Sequence, residues 1–244
     1  MQITTSNIGL TVDDSLMRVY VAAPEPPGQY PGIVFYSDIY QLGEPMTRLA
    51  DRLAGYGYLV AAPEIFHRLE PVGAVIEPTD IGKLRGNDDA RRTAIAEYDA
   101  DSEAVLRWLE AQETVDSSTL GTFGFCIGGH LAFRGALQSQ VKAAVCIYPT
   151  GIHSGKLGRG VADTLERVAE IKGEVLTVFG TRDPHVPPEG RQQILAALDG
   201  ADTGHKSLLY EANHTFMRDD GYRYDPVATD LAWGEAIAFL DRVL

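Results

Sequence analysis

The sequence predicts an α/β fold in which a mostly parallel sheet is covered by helices on both faces. Short apolar strand-like runs alternate with helix-like segments from residue 32 to the end of the chain, which is typical of this class. The length of 244 residues suits one large domain with a sizeable core. Polar residues able to do chemistry follow several of the predicted strands, as expected at the carboxyl edge of such a sheet. We therefore expect a single domain over residues 1–244.

Two strand types are predicted. The first two strands, over residues 2–11 and 17–23, form an antiparallel pair joined at Asp13-Asp14-Ser15. The later strands are shorter and more apolar, as in a sheet buried on both faces. They cover residues 32–36, 58–62, 120–125, 143–148, 175–180 and 206–210.

Helices are predicted between and after these strands. They cover residues 45–54, 87–111, 131–137, 162–169, 189–198 and 225–243. Asn87 is predicted to be the N-cap of a long polar helix, either broken or continuous, over residues 87–111. Gly200 is predicted to cap the C-terminal end of the helix over residues 189–198. Asp225-Pro226 is a good start for the last helix, whose predicted buried face comprises Trp233, Ala236, Ile237 and Leu240. Residues 63–86 are predicted to be an irregular loop, long enough to be functional.

The composition excludes several classes of protein. A net charge of −13 argues against a nucleic-acid partner and against an anionic membrane surface. The N-terminus lacks a basic stretch followed by an apolar one, so no signal peptide is expected, and the apolar runs are too short to span a bilayer. The only cysteines are Cys126 and Cys146, so there is no disulfide framework. We expect a cytoplasmic protein.

A cysteine lies on a sharp predicted turn between a strand and a helix. The segment Gly124-Phe125-Cys126-Ile127-Gly128-Gly129-His130 has the Gly-x-nucleophile-x-Gly spacing of a nucleophile elbow, with Cys in the place of Ser. Small flanking residues are needed because side chains there would collide with the neighbouring strand and helix. The N–H of Ile127, at a helix N-terminus, can stabilise a developing oxyanion. The alternative is a buried structural cysteine beside a glycine-rich turn.

Four candidate residues lie directly after predicted strands: Asp38, Cys126, Asp183 and His214. A cysteine nucleophile needs a base, and the base needs an acceptor that orients it, so His214 and Asp183 are the candidates for these roles. The chain order nucleophile, acid, histidine is that of α/β-hydrolases. The alternatives are that Asp183 only forms a turn before Pro184 and that His214 is an ordinary loop histidine. The shared placement and order favour the catalytic interpretation.

No metal or cofactor site is predicted. Four histidines have no second ligand at metal-binding spacing: His67, His153, His185 and His205. His130 belongs to the helix after the elbow and is expected to pack behind the turn. The glycines of the elbow fit neither the dinucleotide nor the phosphate-loop pattern.

Three segments carry a resemblance to a known family. They are the cysteine elbow at 124–129, Asp183-Pro184-His185-Val186-Pro187, and Glu211-Ala212-Asn213-His214-Thr215-Phe216-Met217-Arg218. With them the chain resembles, over nearly its whole length, the dienelactone hydrolases (carboxymethylenebutenolidases) of the α/β-hydrolase superfamily. Asn213 stands where that family has Gly. The resemblance implies an α/β-hydrolase fold with Cys126 as nucleophile, His214 as base and Asp183 as its orienter.

The resemblance also implies residues around the thiol. Ser37-Asp38-Ile39-Tyr40 is similar to a Gln-Glu-Ile-Phe segment in which the glutamate contacts the resting thiol and the following N–H completes the oxyanion hole. Ile39 is therefore expected to supply the second oxyanion donor, beside Ile127. The resemblance thus implies Asp38 as the carboxylate that contacts the thiol. Asp38 is one methylene shorter than glutamate, so the alternatives are that it does not reach Cys126 directly or that it needs a bridging water.

Two arginines are expected to bind a substrate carboxylate, which a guanidinium binds bidentately. Arg218 corresponds to one such position in the family; the alternative is a surface residue that pairs with the neighbouring Asp219 or Asp220.

The second arginine of the family lies in the loop before the long helix. Arg85 is preferred here because it lies in the predicted irregular loop. Arg91 and Arg92 are the alternatives, and they fit equally well a solvated helix face.

The sequence therefore predicts a cysteine hydrolase of a small lactone or ester that carries a carboxylate, acting through a thioacyl intermediate without a cofactor. A monomer or small homo-oligomer is expected. Two alternatives remain: a non-catalytic protein that binds an anionic metabolite in the same cleft, and a general carboxylesterase or thioesterase in which residues 63–86 shape a larger pocket.

Overall fold

The computed structural model describes residues 1–244 and contains one eight-stranded sheet. The strands are β1 (Ile3–Val12), β2 (Ser15–Pro24), β3 (Tyr30–Tyr36), β4 (Leu59–Pro63), β5 (Val115–Phe125), β6 (Val141–Ile147), β7 (Glu174–Gly180) and β8 (His205–Tyr210). Their order across the sheet is β1-β2-β4-β3-β5-β6-β7-β8. β2 pairs antiparallel with β1 and with β4, and every pairing from β4 to β8 is parallel. The predicted fold class is confirmed.

Six helices connect or follow these strands. They are α1 (Glu44–Ala54), α2 (Asp80–Arg92), α3 (Ile95–Glu110), α4 (Ile127–Gly135), α5 (Pro188–Gly200) and α6 (Pro226–Val243). None of them combines the length and the apolar composition that crossing a membrane requires.

The sheet separates two apolar cores, because successive side chains of a strand point to opposite faces. In β3, Val34 belongs to the core that contains α3, α4 and α5, whereas Ile33 and Phe35 belong to the core that contains α1 and α6. Both faces are therefore covered, and the strand ends are left as the accessible part of the sheet. This arrangement places the ends of β3, β5, β7 and β8 along one edge.

The last helix forms as predicted. The Asp225 carboxylate accepts a hydrogen bond from the Ala228 N–H at 3.0 Å, which satisfies one of the free donors at the helix start. The predicted apolar face of α6 is buried at Trp233, Ala236, Ile237 and Leu240.

The region before α3 differs from the prediction. Residues 80–86 belong to α2 and not to an irregular loop, and Thr79 caps that helix by accepting a hydrogen bond from the Gly82 N–H at 3.0 Å. Asn87 therefore lies inside α2 and is not an N-cap. Of the two alternatives for the long polar helix the broken one is correct, because Thr93 and Ala94 adopt extended backbone between α2 and α3.

Two further helix predictions were wrong. Residues 162–169 form turns followed by one short 3₁₀ turn, Val168–Glu170, and no α-helix. Side chains of α4 hold this segment instead, since Arg134 binds Asp163 at 2.7 Å and His130 lies 2.9 Å from the Thr164 hydroxyl. Gly200 does not cap α5, which continues through it and ends before Ala201.

Candidate active site

Cys126 occupies a strained turn between β5 and α4. Its φ of 59° and ψ of −120° are unusual for a residue with a side chain. The turn is tight enough to exclude side chains at both flanking glycines. A Cβ atom on Gly124 would lie 2.0 Å from the Gly128 carbonyl oxygen, and one on Gly128 would lie 2.3 Å from the Ser37 carbonyl oxygen. The glycines of the motif are thus required by the backbone geometry that presents the thiol at the strand edge.

The three strand-end residues of the predicted triad lie in hydrogen-bonding contact. Cys126 Sγ is 3.3 Å from His214 Nε2, and His214 Nδ1 donates to Asp183 Oδ2 at 2.7 Å. The other Asp183 oxygen accepts from the His185 N–H at 2.8 Å, which fixes the carboxylate. All but Cys126 are buried, and the sulfur of Cys126 faces a cavity. The arrangement can transfer a proton between sulfur and imidazole while Asp183 fixes the tautomer of His214.

The electrostatics of the site favour a charged imidazole. Burial opposes protonation of His214, but the Cys126 sulfur and the Asp183 carboxylate outweigh it and raise the pKa of His214 to about 9. Burial likewise opposes ionisation of Asp183, yet the hydrogen bonds from His214 and from the His185 N–H lower the pKa of Asp183. The ring of His185 packs 4.5 Å from that of His214, centroid to centroid. Burial and the neighbouring imidazole lower the pKa of His185, so that it stays neutral beside a charged His214.

Two backbone amides beside the thiol lack an acceptor within the protein. The N–H of Ile127 is the first of α4, where no intrahelical partner exists, and the N–H of Ile39 follows the end of β3. Both residues line the cavity that Cys126 faces. These are the two donors that the sequence predicted for an oxyanion.

Asp38 does not form a hydrogen bond with the Cys126 thiol. One of its carboxylate oxygens accepts from the Tyr40 N–H at 2.9 Å, and the other accepts from Arg218 Nη1 at 2.5 Å. Arg218 also contacts Asp220 at 2.8 Å and lies over the Tyr40 ring. Arg218 is thus buried between two carboxylates, so the alternative of a pair with Asp220 is correct, although the residue is not on the surface.

This pairing corrects two predicted roles. Burial opposes the charge of Arg218, but the carboxylates of Asp38 and Asp220 outweigh it and raise the pKa of Arg218. The guanidinium is therefore already neutralised by protein groups, and it does not line the cavity. Arg218 is placed to hold Asp38 and the strand end of β3, and its donors are not directed at a ligand.

The preference for Arg85 was also wrong. Arg85 lies on α2, and its Nε and Nη2 both donate hydrogen bonds to the Glu70 carboxylate. Arg85 does not line the cavity. Arg92 approaches Asp88 and Asp89 and does not line the cavity either. Of the three candidates only Arg91 lines it, with its side chain 70% exposed and 3.2 Å from Asp88.

The cavity in front of Cys126 has a volume of about 740 Å³. One wall is α2, which supplies Lys83, Asn87 and Arg91, and another is the segment 150–160 after β6. Sequence reasoning missed Lys83, Lys156 and Arg223 as lining residues. The predicted loop at 63–86 was the one sign of a functional segment, and nothing in the sequence distinguished these cations from ordinary surface charges.

His130 packs behind the elbow, as predicted. Its Nδ1 donates to the Thr150 carbonyl at 2.9 Å and its Nε2 accepts from the Thr164 hydroxyl. Burial lowers the pKa of His130 to about 3, so the ring is neutral and serves as a fixed donor–acceptor pair. The helix that follows Cys126 thereby also anchors Thr150, where the wall formed by 150–160 begins, and Thr164, four residues beyond its end.

Comparison with known proteins agrees with this geometry. The model of the family described as "Dienelactone hydrolase family" matches residues 17–244. A Saccharomyces cerevisiae protein named "Putative carboxymethylenebutenolidase" is 37% identical over 242 residues, covering 93% of this chain and 87% of that protein. The carboxymethylenebutenolidase of Pseudomonas sp. strain P51 is 26% identical over 217 residues, covering 88% of this chain and 86% of that protein.

Solved structures agree as well. The crystal structure of a "Putative Dienelactone Hydrolase" from Klebsiella pneumoniae subsp. pneumoniae MGH 78578 superposes with a TM-score of 0.83 at 25% identity, covering 99% of this chain and 100% of that one. A "Dienelactone Hydrolase-like Promiscuous" phosphotriesterase from metagenomic libraries has a TM-score of 0.80 at 20% identity, and covers 100% of this chain and 99% of that one. The second likeness concerns the fold alone.

Proposed function

Since the chain belongs to the dienelactone hydrolase family and is a lactone or ester hydrolase, we propose that it acts through Cys126 on small lactones or esters that carry a carboxylate. The observation that carries this proposal is the hydrogen-bonded series from Cys126 Sγ to His214 and on to Asp183, at 3.3 Å and 2.7 Å. A structural cysteine would need neither the strained turn nor a buried imidazole–carboxylate pair beside it.

In the proposed reaction the Cys126 thiolate attacks the carbonyl carbon of the ester. The resulting oxyanion accepts hydrogen bonds from the free N–H groups of Ile39 and Ile127. The C–O bond to the leaving group then breaks, and His214 gives that oxygen its proton. The product of this half-reaction is a thioester on Cys126.

Hydrolysis of the thioester completes the cycle. Neutral His214 takes a proton from a water molecule, and the hydroxide attacks the thioester carbonyl. The C–S bond breaks, which releases the acid and regenerates the thiolate beside a protonated His214. Asp183 accepts a hydrogen bond from His214 Nδ1 throughout and holds the ring toward the sulfur.

Asp38 has a different part in this proposal from the one that the family resemblance implied. It does not reach the thiol, so activation of Cys126 rests on His214. Through its bond to the Tyr40 N–H, Asp38 holds the backbone on either side of Ile39, whose amide is one of the proposed oxyanion donors.

The size of the cavity favours a second candidate function. A volume of about 740 Å³ falls within the range of sites for drug-sized ligands and leaves room for acyl groups larger than a small lactone. A general carboxylesterase or thioesterase would use the same nucleophile, and a substrate series decides between the two.

The test compares wild type with Cys126→Ala on unsaturated lactones, on p-nitrophenyl esters of increasing acyl length and on acyl thioesters. We expect wild-type turnover to be greatest on small carboxylate-bearing lactones or esters. On these substrates the turnover of Cys126→Ala should be at least a thousandfold lower than that of wild type. Cys146→Ala is the matched control, because Cys146 is buried in β6 away from the cavity. Activity retained by Cys126→Ala would exclude the thiol mechanism, and a maximum at long acyl groups would favour the second candidate.

A further inference from the structure

The cavity in front of Cys126 is cationic, although the chain as a whole is acidic. Its lining contains Lys83, Arg91, Lys156 and Arg223 but one carboxylate, Asp38, while the chain has a net charge of −13. Asp38 is neutralised by Arg218 and does not compensate the four cations. The cavity therefore offers an anion a local concentration of positive charge on this otherwise acidic protein.

Three of the four cations, Lys83, Lys156 and Arg223, form no side-chain hydrogen bond or ion pair within the protein. Arg91 instead lies 3.2 Å from Asp88, and the guanidinium of Arg223 lies over the ring of the neighbouring Tyr222. Lys83 belongs to α2, and Arg223 belongs to the segment that leads from His214 to α6. Both line the cavity together with His185, which packs against His214.

The charges of Lys83 and Arg223 act on the same ring. After burial and the His214 imidazole, both cations contribute to lowering the pKa of His185, whereas Lys156 contributes to lowering the pKa of His153. Lys83 and Arg223 therefore share His185 as a neighbour in the cavity lining, whereas Lys156 belongs to the segment 150–160. Arg223 is also half-buried, which strengthens its interaction with a bound charge relative to a fully solvated arginine.

We propose that Lys83 and Arg223 form the subsite that binds the carboxylate of the substrate, in the place of the neutralised Arg218. The inference rests on the proposed function, because it assigns the anionic end of the substrate of that same site. Arg223 supplies a planar fork that binds a carboxylate through two parallel hydrogen bonds, and Lys83 supplies a point charge from the other wall. The reacting carbonyl then lies between this subsite and the free amides of Ile39 and Ile127.

The test uses two p-nitrophenyl esters of equal leaving group and similar acyl length. The anionic substrate is mono-p-nitrophenyl glutarate, and the neutral one is p-nitrophenyl pentanoate. Arg223→Gln and Lys83→Gln are each expected to lower kcat/KM for the glutarate ester about tenfold, the loss typical of one charge-assisted hydrogen bond, with the pentanoate ester changed less than about twofold. Arg223→Lys should retain only part of the preference, because it keeps the charge but loses the two parallel hydrogen bonds.

Matched controls carry the same charge change outside the cavity. They are Arg107→Gln on the exposed face of α3 and Lys172→Gln, and neither is expected to change the ratio of the two kcat/KM values. An unchanged ratio in both Arg223→Gln and Lys83→Gln, or an equal loss on both esters, would overturn the subsite.

Direct binding separates failure of the subsite from failure of the proposed function. Glutarate alone, measured by titration calorimetry, should bind wild type about tenfold more tightly than Arg223→Gln. If wild type hydrolyses neither ester, the proposed function fails. The subsite is then tested by the ratio of the glutarate affinities of wild type and Arg223→Gln alone. Equal binding of glutarate to both proteins would reject it even if the esters are hydrolysed.

Discussion

Replacing Arg218 with methionine should destabilise the protein strongly, because it leaves the Asp38 carboxylate buried without its cation. The two side chains are 7% and 4% exposed, so water replaces little of the lost interaction. Breaking such a buried pair by removing one partner costs about 3–5 kcal/mol. The second partner, Asp220, is 36% exposed, and its contact adds about 0–1 kcal/mol.

This loss converts to a measurable change in thermal unfolding. At about 2–4 °C per kcal/mol for a chain of this length, the unfolding midpoint of Arg218→Met should fall by about 6–20 °C. The double variant Asp38→Asn, Arg218→Met should unfold at a higher temperature than Arg218→Met, since no unpaired charge remains buried. Arg48→Met is the matched control, because Arg48 forms an ion pair with Asp219 while 49% exposed, and it should cost less than about 1 kcal/mol.

The same variant tests the catalytic consequence. Loss of Arg218 should lower kcat/KM for carboxylate-bearing and neutral esters alike, since it loosens Asp38 and the backbone around Ile39. A midpoint within about 2 °C of wild type would refute the buried-pair argument. A loss confined to carboxylate-bearing esters would show that Arg218 binds substrate after all.

Two further predictions follow from the elbow and from the imidazole. Gly124→Ala should lose at least a hundredfold of kcat or fail to fold, because its Cβ atom would lie 2.0 Å from the Gly128 carbonyl oxygen. Gly200→Ala, with open space around the added Cβ atom, should be neutral or stabilising by up to about 1 kcal/mol. The pKa of His214 is raised to about 9, so its stabilising contribution is complete below its ordinary pKa of about 6.5 and disappears as the pH rises to 9. The difference in unfolding midpoint between wild type and His214→Gln should therefore shrink from pH 6 to pH 9.

These two results would be contradicted by clear outcomes. A fully active and stable Gly124→Ala would mean that the elbow is looser than its backbone contacts indicate. A midpoint difference for His214→Gln that is constant or grows between pH 6 and pH 9 would mean that His214 does not gain a stabilising proton in the folded state.

The parts of the fold that the sequence predicts are those in which local pattern and tertiary packing agree. The apolar strands and α6 were predicted correctly, because the apolar residues whose spacing indicates a strand or a helix are also the residues that are buried. The α2 helix was missed because Gly82 and Gly86 suggest a loop. Both glycines are required by close backbone contact, since a Cβ atom on Gly82 would lie 1.8 Å from the Glu77 carbonyl oxygen.

The same distinction applies to the site. Cys126, Asp183 and His214 each follow an apolar strand that the sequence pattern predicts. Because the carboxyl ends of parallel strands meet at one edge of the sheet, their proximity could be predicted as well. The partners of an arginine are set by side-chain geometry in three dimensions. Arg218 meets Asp38 across 180 positions of sequence, so nothing local distinguishes a structural guanidinium from one that binds substrate.

The contact between α2 and the end of β3 limits how this enzyme could acquire new substrates. A Cβ atom on Gly86 would lie 2.3 Å from the Ile39 carbonyl oxygen, so the cavity wall rests directly on the backbone that carries a proposed oxyanion donor. The wall and the donor are therefore not independent modules. Natural variation or laboratory design can change substrate preference through the cavity-facing side chains of α2, but a graft of a foreign helix must keep a residue without a side chain at that crossing.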